Sequence, residues 1–441
     1  MFLEKIIIDS FACFKQFTAS FTYGTNVIIG RNGAGKTSLI RSLVYLMNFM
    51  FTNDRSMGDT FLSAGNPDLK MSSIKPSEFY RFIENGEAVP DSNLHGEMTF
   101  EGEKILWDMY KKSVPGASLY PSKYVEAYRQ IMNISKQTGQ LPLLAYFSDS
   151  FPHKHTNISA FAKGEINNTE GILKNFGYYQ WDNESSCTLI WQMRLLNVMA
   201  KSLSLNDPNS IATKEVEFIS ATLKEFSHII NNEADDSFEI TKIFFTFKDG
   251  EKPELWLKLK SAQELPFEKL PAGYHRLYSI VLDLAYRSYL INKNNPKDAK
   301  GLVLIDEIDL HLHPSLSLEV VERFRKTFPK IQFIMTTHSP LVVTSLRIEN
   351  GKNQVLRLVA GEEHPHILPD LYGIDYNAGL YDALGVNPTN EDLLYLKNAL
   401  RRAYKRNDTE LIEAKKKEIL RFVSEERLNN IIAEFTNTKQ D

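Results

Sequence analysis

The stretch Ile28–Ser38, "IIGRNGAGKTS", decides the fold that the sequence predicts. It fits the pattern G-x-x-x-x-G-K-[ST], with an Ile/Val-rich strand before it and a helix with buried spacing after it. Glycines let the backbone curve around an anion, and the successive N–H groups at a helix N-terminus point towards that anion. A strand-to-helix turn that binds nothing is the alternative, but the flanking strand and helix favour a phosphate-binding loop.

The chemistry of the loop residues predicts their contacts. Lys36 is expected to reach the β- and γ-phosphates of a nucleotide, and Thr37 to offer its hydroxyl to Mg²⁺. A dinucleotide-binding turn would need the spacing G-x-G-x-x-G, which this stretch lacks. The residues predicted to contact the nucleotide are Gly30, Asn32, Gly33, Ala34, Gly35, Lys36, Thr37 and Ser38.

A second motif, "LVLIDEIDLHLHP" from Leu302, places two carboxylates at the end of an apolar strand. Asp306 is expected to hold Mg²⁺ directly or through water, and Glu307 to orient and polarise the attacking water. A strand end that merely reaches solvent is the alternative, and the phosphate loop weakens it. His311 and His313 have the spacing of metal ligands, but no third ligand follows, so a packed or interfacial role is favoured over zinc.

A third apolar strand, "FIMTTHSP" from Phe333, also ends in polar residues. His338 at its tip is predicted to reach the γ-phosphate side of the same site and to hold the water or Glu307 in place. A structural histidine with its hydrogen bonds satisfied is the alternative.

Composition limits the class of protein. The 441 residues, 43% of them hydrophobic, suffice for two or three domains. The net charge of −4 gives no overall sign of nucleic-acid binding, although a local basic face stays open. Cys13 and Cys187 cannot form a disulfide framework. No uncharged apolar run is long enough to cross a bilayer, so we expect a cytoplasmic protein without a membrane partner.

Hydrophobic periodicity divides the chain into four parts. Strands surround the phosphate loop in residues 1–152, and two amphipathic helices dominate residues 153–236, where residues 153–181 are predicted to be looped. Residues 237–359 contain two strands, a helix from Tyr274 and the acidic strand, followed by a helix over Ser315–Phe328. Charged helices fill residues 360–441, with Asp408 and Ser424 as predicted N-caps. A solvated helical hairpin is favoured over a binding arm for this tail.

Taken together, these motifs resemble the ABC-type ATPases of the SMC/RecF/OLD superfamily (AAA-21-like). The resemblance extends to about Val359 and includes "SFACF" before the loop, "LPLLAYFSD", and "LPAGYHR" in the place of the LSGGQ-like signature. It implies an α/β fold: an ABC-type P-loop domain with a mixed sheet lobe and a parallel RecA-like sheet, a helical lid insertion and a helical C-terminal tail. The segment "LYGIDYNAGLYDALGV" and the charged tail helices resemble Septu anti-phage ATPase subunits of the PtuA type.

The resemblance also implies partners and a mechanism. Two chains would bind ATP and Mg²⁺ head to tail as a homodimer or higher homo-oligomer, with Gly273 and the following helix N-terminus of one chain facing the nucleotide of the other. The family's signature serine is Pro271 here, which leaves His275 or Arg276 as further contacts. Its N-terminal arginine is Ala12, for which Lys15 could substitute. Both departures predict slow hydrolysis.

Three functions remain open at this point. The favoured one is an ATP-gated switch in anti-phage defence that controls an HNH nuclease of the PtuB type and has no nuclease activity itself, because the tail lacks a recognisable nuclease motif. The second is a DNA-repair or DNA-end-binding ATPase that contacts DNA directly. The third is a scaffold that binds ATP with little hydrolysis. A transporter ATPase fits poorly, since the chain lacks a well-formed LSGGQ.

Overall fold

A computed structural model describes residues 1–52, 66–72, 74–80, 89–114, 116–148, 158–169, 171–182, 188–228, 237–246, 253–293, 295–349, 351–374 and 391–436. The chain divides into two compact units, Met1–Ile374 and Asp375–Asp441. The helix predicted over "YNAGLYDALGV" (376–386) lies outside the described residues. The division of the chain into four parts at 152, 236 and 359 stays a prediction.

The first unit alternates strands and helices. Its strands are β1 (Phe2–Phe11), β2 (Phe14–Ser20), β3 (Thr25–Gly30), β4 (Asp91–Phe100), β5 (Glu103–Lys112), β6 (Leu143–Phe147), β7 (Ile240–Thr246), β8 (Glu254–Leu259), β9 (Glu264–Pro266), β10 (Gly301–Ile305), β11 (Ile331–Thr336), β12 (Gln354–Leu358) and β13 (His366–Ile367). Its helices are α1 (Lys36–Met47), α2 (Val125–Thr138), α3 (Ala160–Asn167), α4 (Thr188–Leu205), α5 (Ile211–Ser227), α6 (Ala272–Ile291), α7 (Pro314–Ser317), α8 (Val320–Thr327) and α9 (Pro340–Thr344).

A six-stranded sheet forms the centre of this unit, in the order β13-β12-β3-β11-β10-β6. Its strands run parallel except for β13, which pairs antiparallel with β12. β3, β10 and β11 are buried along their whole length, as continuous apolar runs of central parallel strands are. Their carboxyl ends meet at one edge, so the three predicted motifs are neighbours in space.

Two antiparallel sheets complete the strands. The first has the order β2-β1-β4-β5, and the second the order β7-β8-β9. β4 alternates strictly between buried and half-buried residues, so one face of its sheet packs inwards. Glu101 and Gly102 both have positive φ and form the turn between β4 and β5. The expected α/β architecture, a mixed lobe beside a parallel sheet, is confirmed.

Some local predictions were wrong. Part of the segment predicted to be looped, residues 153–181, forms α3. The helix predicted over Ser315–Phe328 is divided into α7 and α8. The strands β2, β9 and β13 were not predicted from the sequence, because strands that pair at a sheet edge carry a weak hydrophobic signal.

Buried polar side chains connect α4 and α5 to their neighbours. Arg194 of α4 forms a bidentate ion pair with Glu215 of α5, at 2.7 and 2.8 Å, and both side chains are fully buried. The indole of Trp191 donates to Asp283 of α6 at 2.7 Å, and Asp283 pairs in turn with Arg287. The first contact ties α5 to α4, and the second ties α4 to α6.

The second unit is helical where it is described, with α10 (Glu391–Arg406), α11 (Thr409–Ile419) and α12 (Glu425–Thr436). Its core consists of Leu393, Leu396, Leu400, Ile419, Leu428 and Ile431. Both predicted N-caps are confirmed: Asp408 accepts from the Leu411 amide at 3.1 Å, and Ser424 accepts from the Arg427 amide at 3.3 Å.

Candidate functional site

The phosphate loop connects β3 to α1. Residues 31–33 are exposed, whereas Ala34 is buried. Gly35 is the N-cap of α1 at φ 97° and makes no side-chain cap, so the first amides of α1 need other acceptors. A Cβ at this position would lie 2.7 Å from the Phe14 ring and 2.8 Å from the Cys13 sulfur. Both the positive φ and the close packing therefore require glycine here.

Lys36 folds over this loop. Its ammonium donates to the Gly30 carbonyl at 3.0 Å and to the Arg31 carbonyl at 3.4 Å, and the side chain is buried. Burial lowers the pKa of Lys36 below its usual 10.5, while Asp306 and other nearby carboxylates act in the opposite direction. An anion in the loop would favour the charged form, so phosphate binding and Lys36 protonation are coupled.

Asp306 and Glu307 follow β10 directly, in a turn that is hydrogen-bonded to Thr336 of β11. Asp306 is fully buried and accepts a hydrogen bond from the Thr336 hydroxyl. Glu307 has φ 51°, and its amide donates to the same hydroxyl at 2.8 Å. The Ile308 amide donates to the Thr336 carbonyl at 2.9 Å. One threonine at the end of the neighbouring strand thus holds the Asp306 carboxylate and the backbone of Glu307.

His338 lies beside Glu307. Its Nε2 is 3.9 Å from the Glu307 carboxylate, which is an ion-pair distance rather than a hydrogen bond. Asp309 positions the histidine backbone, because it accepts from the Thr337 hydroxyl at 2.5 Å and from the His338 amide at 3.3 Å. The structure therefore brings Lys36, Asp306, Glu307 and His338 to one edge of the sheet, and adds Asp309, to which the sequence analysis gave no role.

Arg276 also belongs to this site, in a way that the sequence did not reveal. Its guanidinium is 1% exposed and donates to the Asp306 carbonyl at 2.8 Å and the Glu307 carbonyl at 2.6 Å. Longer contacts reach the carbonyls of Ile308 and Ser148, both at 3.4 Å. The expectation that Arg276 could face a second chain is therefore wrong, because its guanidinium is buried within its own chain.

Gly273 lies in the first turn of α6, and Pro271 is the N-cap of that helix. A Cβ on Gly273 would meet the His311 carbonyl oxygen at 2.6 Å, so close packing within one chain already requires glycine here. His311 itself is exposed. His313 is the N-cap of α7, and its ring accepts from the Ser315 amide at 3.4 Å.

A cavity of about 720 Å³ adjoins the phosphate loop. Residues 12–16, Gly33 and Ala34, Phe79 and Tyr80, and residues 360–363 line it. Ligand pockets typically measure roughly 300–1,000 Å³. Lys15, which was expected to substitute for an arginine at position 12, is exposed on the cavity wall.

Metal binding at this edge would depend on the substrate. Among the described residues, no three His, Cys, Asp or Glu side chains lie together as a metal site. Mg²⁺ needs only one or two protein oxygens when substrate phosphates supply others. The exposed Thr37 hydroxyl and the Asp306 carboxylate are hard oxygen ligands at this edge, so the residues present fit that ion.

A parallel sheet with a phosphate loop and an acidic strand end at its carboxyl edge defines a P-loop nucleotide-binding protein. The chain belongs to the AAA_15 family, described as AAA ATPase domain, whose model matches residues 1–87 and 73–343. None of the helices in the described part of the chain is long and apolar enough to span a membrane.

The known proteins similar to this chain include a retron protein and two Septu proteins. The chain is 26% identical to the Retron Vc95 probable ATPase of Vibrio cholerae serotype O1 biovar El Tor, over 86% of this chain and 77% of the relative. It is 20% identical to the Septu protein PtuA of Bacillus thuringiensis, over 89% and 86%. It is 46% identical to PtuA of Bacillus mycoides (strain KBAB4), over 18% and 11%. The expected resemblance to Septu ATPases is confirmed.

A solved SMC head bound to the C-winged helix domain of ScpA also aligns with the chain. The alignment covers 83% of this chain and 97% of that one, with 13% identity and a TM-score of 0.47.

Proposed function

We propose that this protein is an ATP-gated dimeric switch of anti-phage defence that hydrolyses ATP slowly and controls a partner nuclease. The observation that carries the proposal is the convergence of Lys36, Asp306, Glu307 and His338 at the carboxyl edge of one parallel sheet. An ATPase needs a phosphate-binding cation, a metal-binding carboxylate and a water-orienting base, and these residues supply all three.

The roles follow from position and chemistry. Lys36 and the amides of residues 33–38 would hold the phosphates, with Gly30 and Asn32 completing the loop. The cavity beside Gly33 would take the nucleoside. Thr37 and Asp306 would hold Mg²⁺, which neutralises charge on the phosphates when bound. The ligands we assign are therefore ATP and Mg²⁺.

Hydrolysis would proceed by attack of water on the γ-phosphorus. The new P–O bond forms as the bond to the ADP oxygen breaks, and the proton of the water passes to Glu307. His338 would orient Glu307 or the water from 3.9 Å away. General-base catalysis contributes typically about 10²–10⁴-fold, so loss of the Glu307 carboxylate should slow turnover by about that factor without preventing ATP binding.

A second chain would complete the site. The N-terminus of α6, with Gly273 in its first turn, would face the nucleotide of the partner through backbone amides. Pro271 has neither a hydroxyl nor an N–H to offer, which fits slow hydrolysis. The γ-phosphate would favour the closed dimer, and its release would favour opening.

The relatives support the biological setting. A protein named as a retron probable ATPase and a protein named as Septu protein PtuA each match most of this chain. We infer a cytoplasmic role, where ATP is present, beside an HNH nuclease that the dimer controls, and no nuclease activity of this chain. A DNA-repair or DNA-end-binding ATPase is the second candidate, favoured by the SMC/RecF-like motifs, and an ATP-binding scaffold is the third.

The experiment measures phosphate release and native mass, each with and without ATP, for three proteins. Wild type should release phosphate slowly and Glu307→Gln should not, while Glu307→Gln should double in mass with ATP. Glu410→Gln, an exposed acid of α11, should behave as wild type. Equal rates for wild type and Glu307→Gln would remove Glu307 from the catalytic role. A doubled mass without hydrolysis in wild type would favour the scaffold.

A further inference from the structure

We propose that one face of α10 binds the phosphate backbone of a nucleic acid. This cation face consists of Arg401, Arg402, Lys405 and Arg406, all exposed. None of the four forms an ion pair or hydrogen bond with a residue that the structure describes. Residues 393–407 contain no Asp or Glu. The face therefore carries positive charge that is not neutralised within the described part of the second unit.

The neighbouring helix shows the contrasting arrangement. In α11, Lys415 pairs with Glu418 at 2.8 Å, and Lys416 pairs with Glu413 at 2.8 Å. Such alternation of sign is what a solvated helix uses to stabilise itself. The named lysines of α11 are therefore paired with acids, whereas the four cations of α10 are not paired with a described residue. Of these two helices, α11 has the charge pattern of an ordinary solvated surface.

The cation face opposes the stability of its own helix. Arg401 and Lys405, like Arg402 and Arg406, are four residues apart, where like charges repel. Cations in the last turn interact favourably with the helix dipole, which accounts for Lys405 and Arg406. It does not account for Arg401 and Arg402 one turn earlier. An external anion would remove this repulsion.

Charge density identifies the class of anion. The four cations span about 8 Å along the helix axis, at about 1.5 Å per residue from Arg401 to Arg406. Duplex DNA carries one phosphate per roughly 1.7 Å of its axis when both strands are counted, so a similar length of duplex presents about four phosphates. Exposed Tyr395 lies seven residues before Arg402, on the same side of the helix, where it could stack on an unpaired base. The net charge of the chain is −4, so binding would depend on this face rather than on overall charge.

The test measures the salt dependence of binding by the full chain to a fluorescein-labelled DNA duplex of about 20 base pairs and to its single strand. Each phosphate contact contributes about −0.9 to the logarithmic slope for duplex and about −0.7 for single strand. Four contacts predict a loss of about 150-fold in duplex affinity between about 50 and 200 mM salt. Arg401→Gln/Arg402→Gln should reduce that loss to about 12-fold.

The control is Lys415→Gln/Lys416→Gln, which changes the net charge equally but removes cations that are already paired. It should keep the wild-type slope. Tighter binding to the duplex than to the single strand would assign the face to double-stranded DNA, whereas tighter binding to the strand that is weakened by Tyr395→Ala would assign it to unpaired bases. Equal slopes for the two double variants, or no binding of wild type to either probe at about 50 mM salt, would overturn the proposal.

Discussion

Arg276 should act as a positioning residue for Glu307, and Arg276→Lys tests this. The guanidinium donates to the backbone carbonyls of Asp306 and Glu307 at 2.8 and 2.6 Å. In the proposed mechanism the side chain of Asp306 holds the metal ion and that of Glu307 orients the water. Lysine keeps the charge but presents a compact ammonium without the planar fork, so it cannot reproduce both short bonds and the two longer ones. The substitution should loosen the turn without removing a group that touches ATP.

The magnitude follows from the backbone of Glu307. Its φ of 51° costs about 1–2 kcal/mol for a residue with a side chain. Hydrogen bonds from charged donors contribute about 1.5–3 kcal/mol each, so the loss of one removes enough to let the turn relax. A shift of the carboxylate by about 1 Å can cost 10²-fold in rate. We expect kcat to fall by about 10–100-fold, equivalent to about 1.4–2.8 kcal/mol, with little change in ATP affinity.

Arg287→Lys is the matched control. Arg287 is a buried arginine of the same helix that also donates to backbone carbonyls, those of Gly177 at 2.8 Å and Tyr179 at 3.2 Å. Both variants should lower the melting temperature, but only Arg276→Lys should lower kcat when assayed well below that temperature. Arg276→Lys should also add nothing to Glu307→Gln in a double variant. A kcat within twofold of wild type, or an equal loss in Arg287→Lys, would refute the positioning role.

Three further outcomes follow. Gly35→Ala should abolish ATP binding in a titration calorimeter, because φ 97° and the contact with Phe14 exclude a side chain; wild-type affinity would contradict this. Burial holds the pKa of Lys36 below 10.5, and bound phosphate should raise this pKa, so ATP binding should take up protons. ATP affinity should therefore weaken as the pH rises through the pKa of Lys36 in the free protein. Lys36→Met should lose this pH dependence, and a pH-independent wild type would refute the coupling. Glu215→Gln should leave the charge of Arg194 buried and uncompensated and should destabilise the fold by about 3–5 kcal/mol in urea titrations, whereas an unchanged midpoint would show that the pair is dispensable.

Much of the candidate site could be predicted from the sequence because its signals are local. The glycine spacing that forms the phosphate loop lies within eight residues, Gly30–Thr37, and the acidic pair follows one apolar strand directly. Parallel strands then bring loops at equivalent strand ends together whatever the chain between them does. The position of His338 could be predicted for the same reason, since it follows the end of β11, the strand next to β10.

Other predictions failed where the decisive contact lies far away in sequence. Arg276 has the appearance of a contact to another chain, but it is 31 residues from the Glu307 carbonyl to which it donates within its own chain. The role of Gly273 towards a second chain stays a prediction, and its close packing against the His311 carbonyl is likewise not visible in the local sequence. Edge strands such as β13 likewise depend on the partner strand they pair with.

The sequence by itself determined the phosphate loop and the acidic strand end, because backbone conformations that cradle phosphate need particular residues at fixed short spacings. Only the tertiary structure decided how those residues are held in place. Thr336 bonds the Asp306 carboxylate and the Glu307 amide, Asp309 accepts from the His338 amide, and Arg276 donates to the carbonyls of Asp306 and Glu307. The physical reason is that a buried polar group must find its hydrogen-bond partner wherever the fold delivers one, and periodicity along the chain does not record that distance.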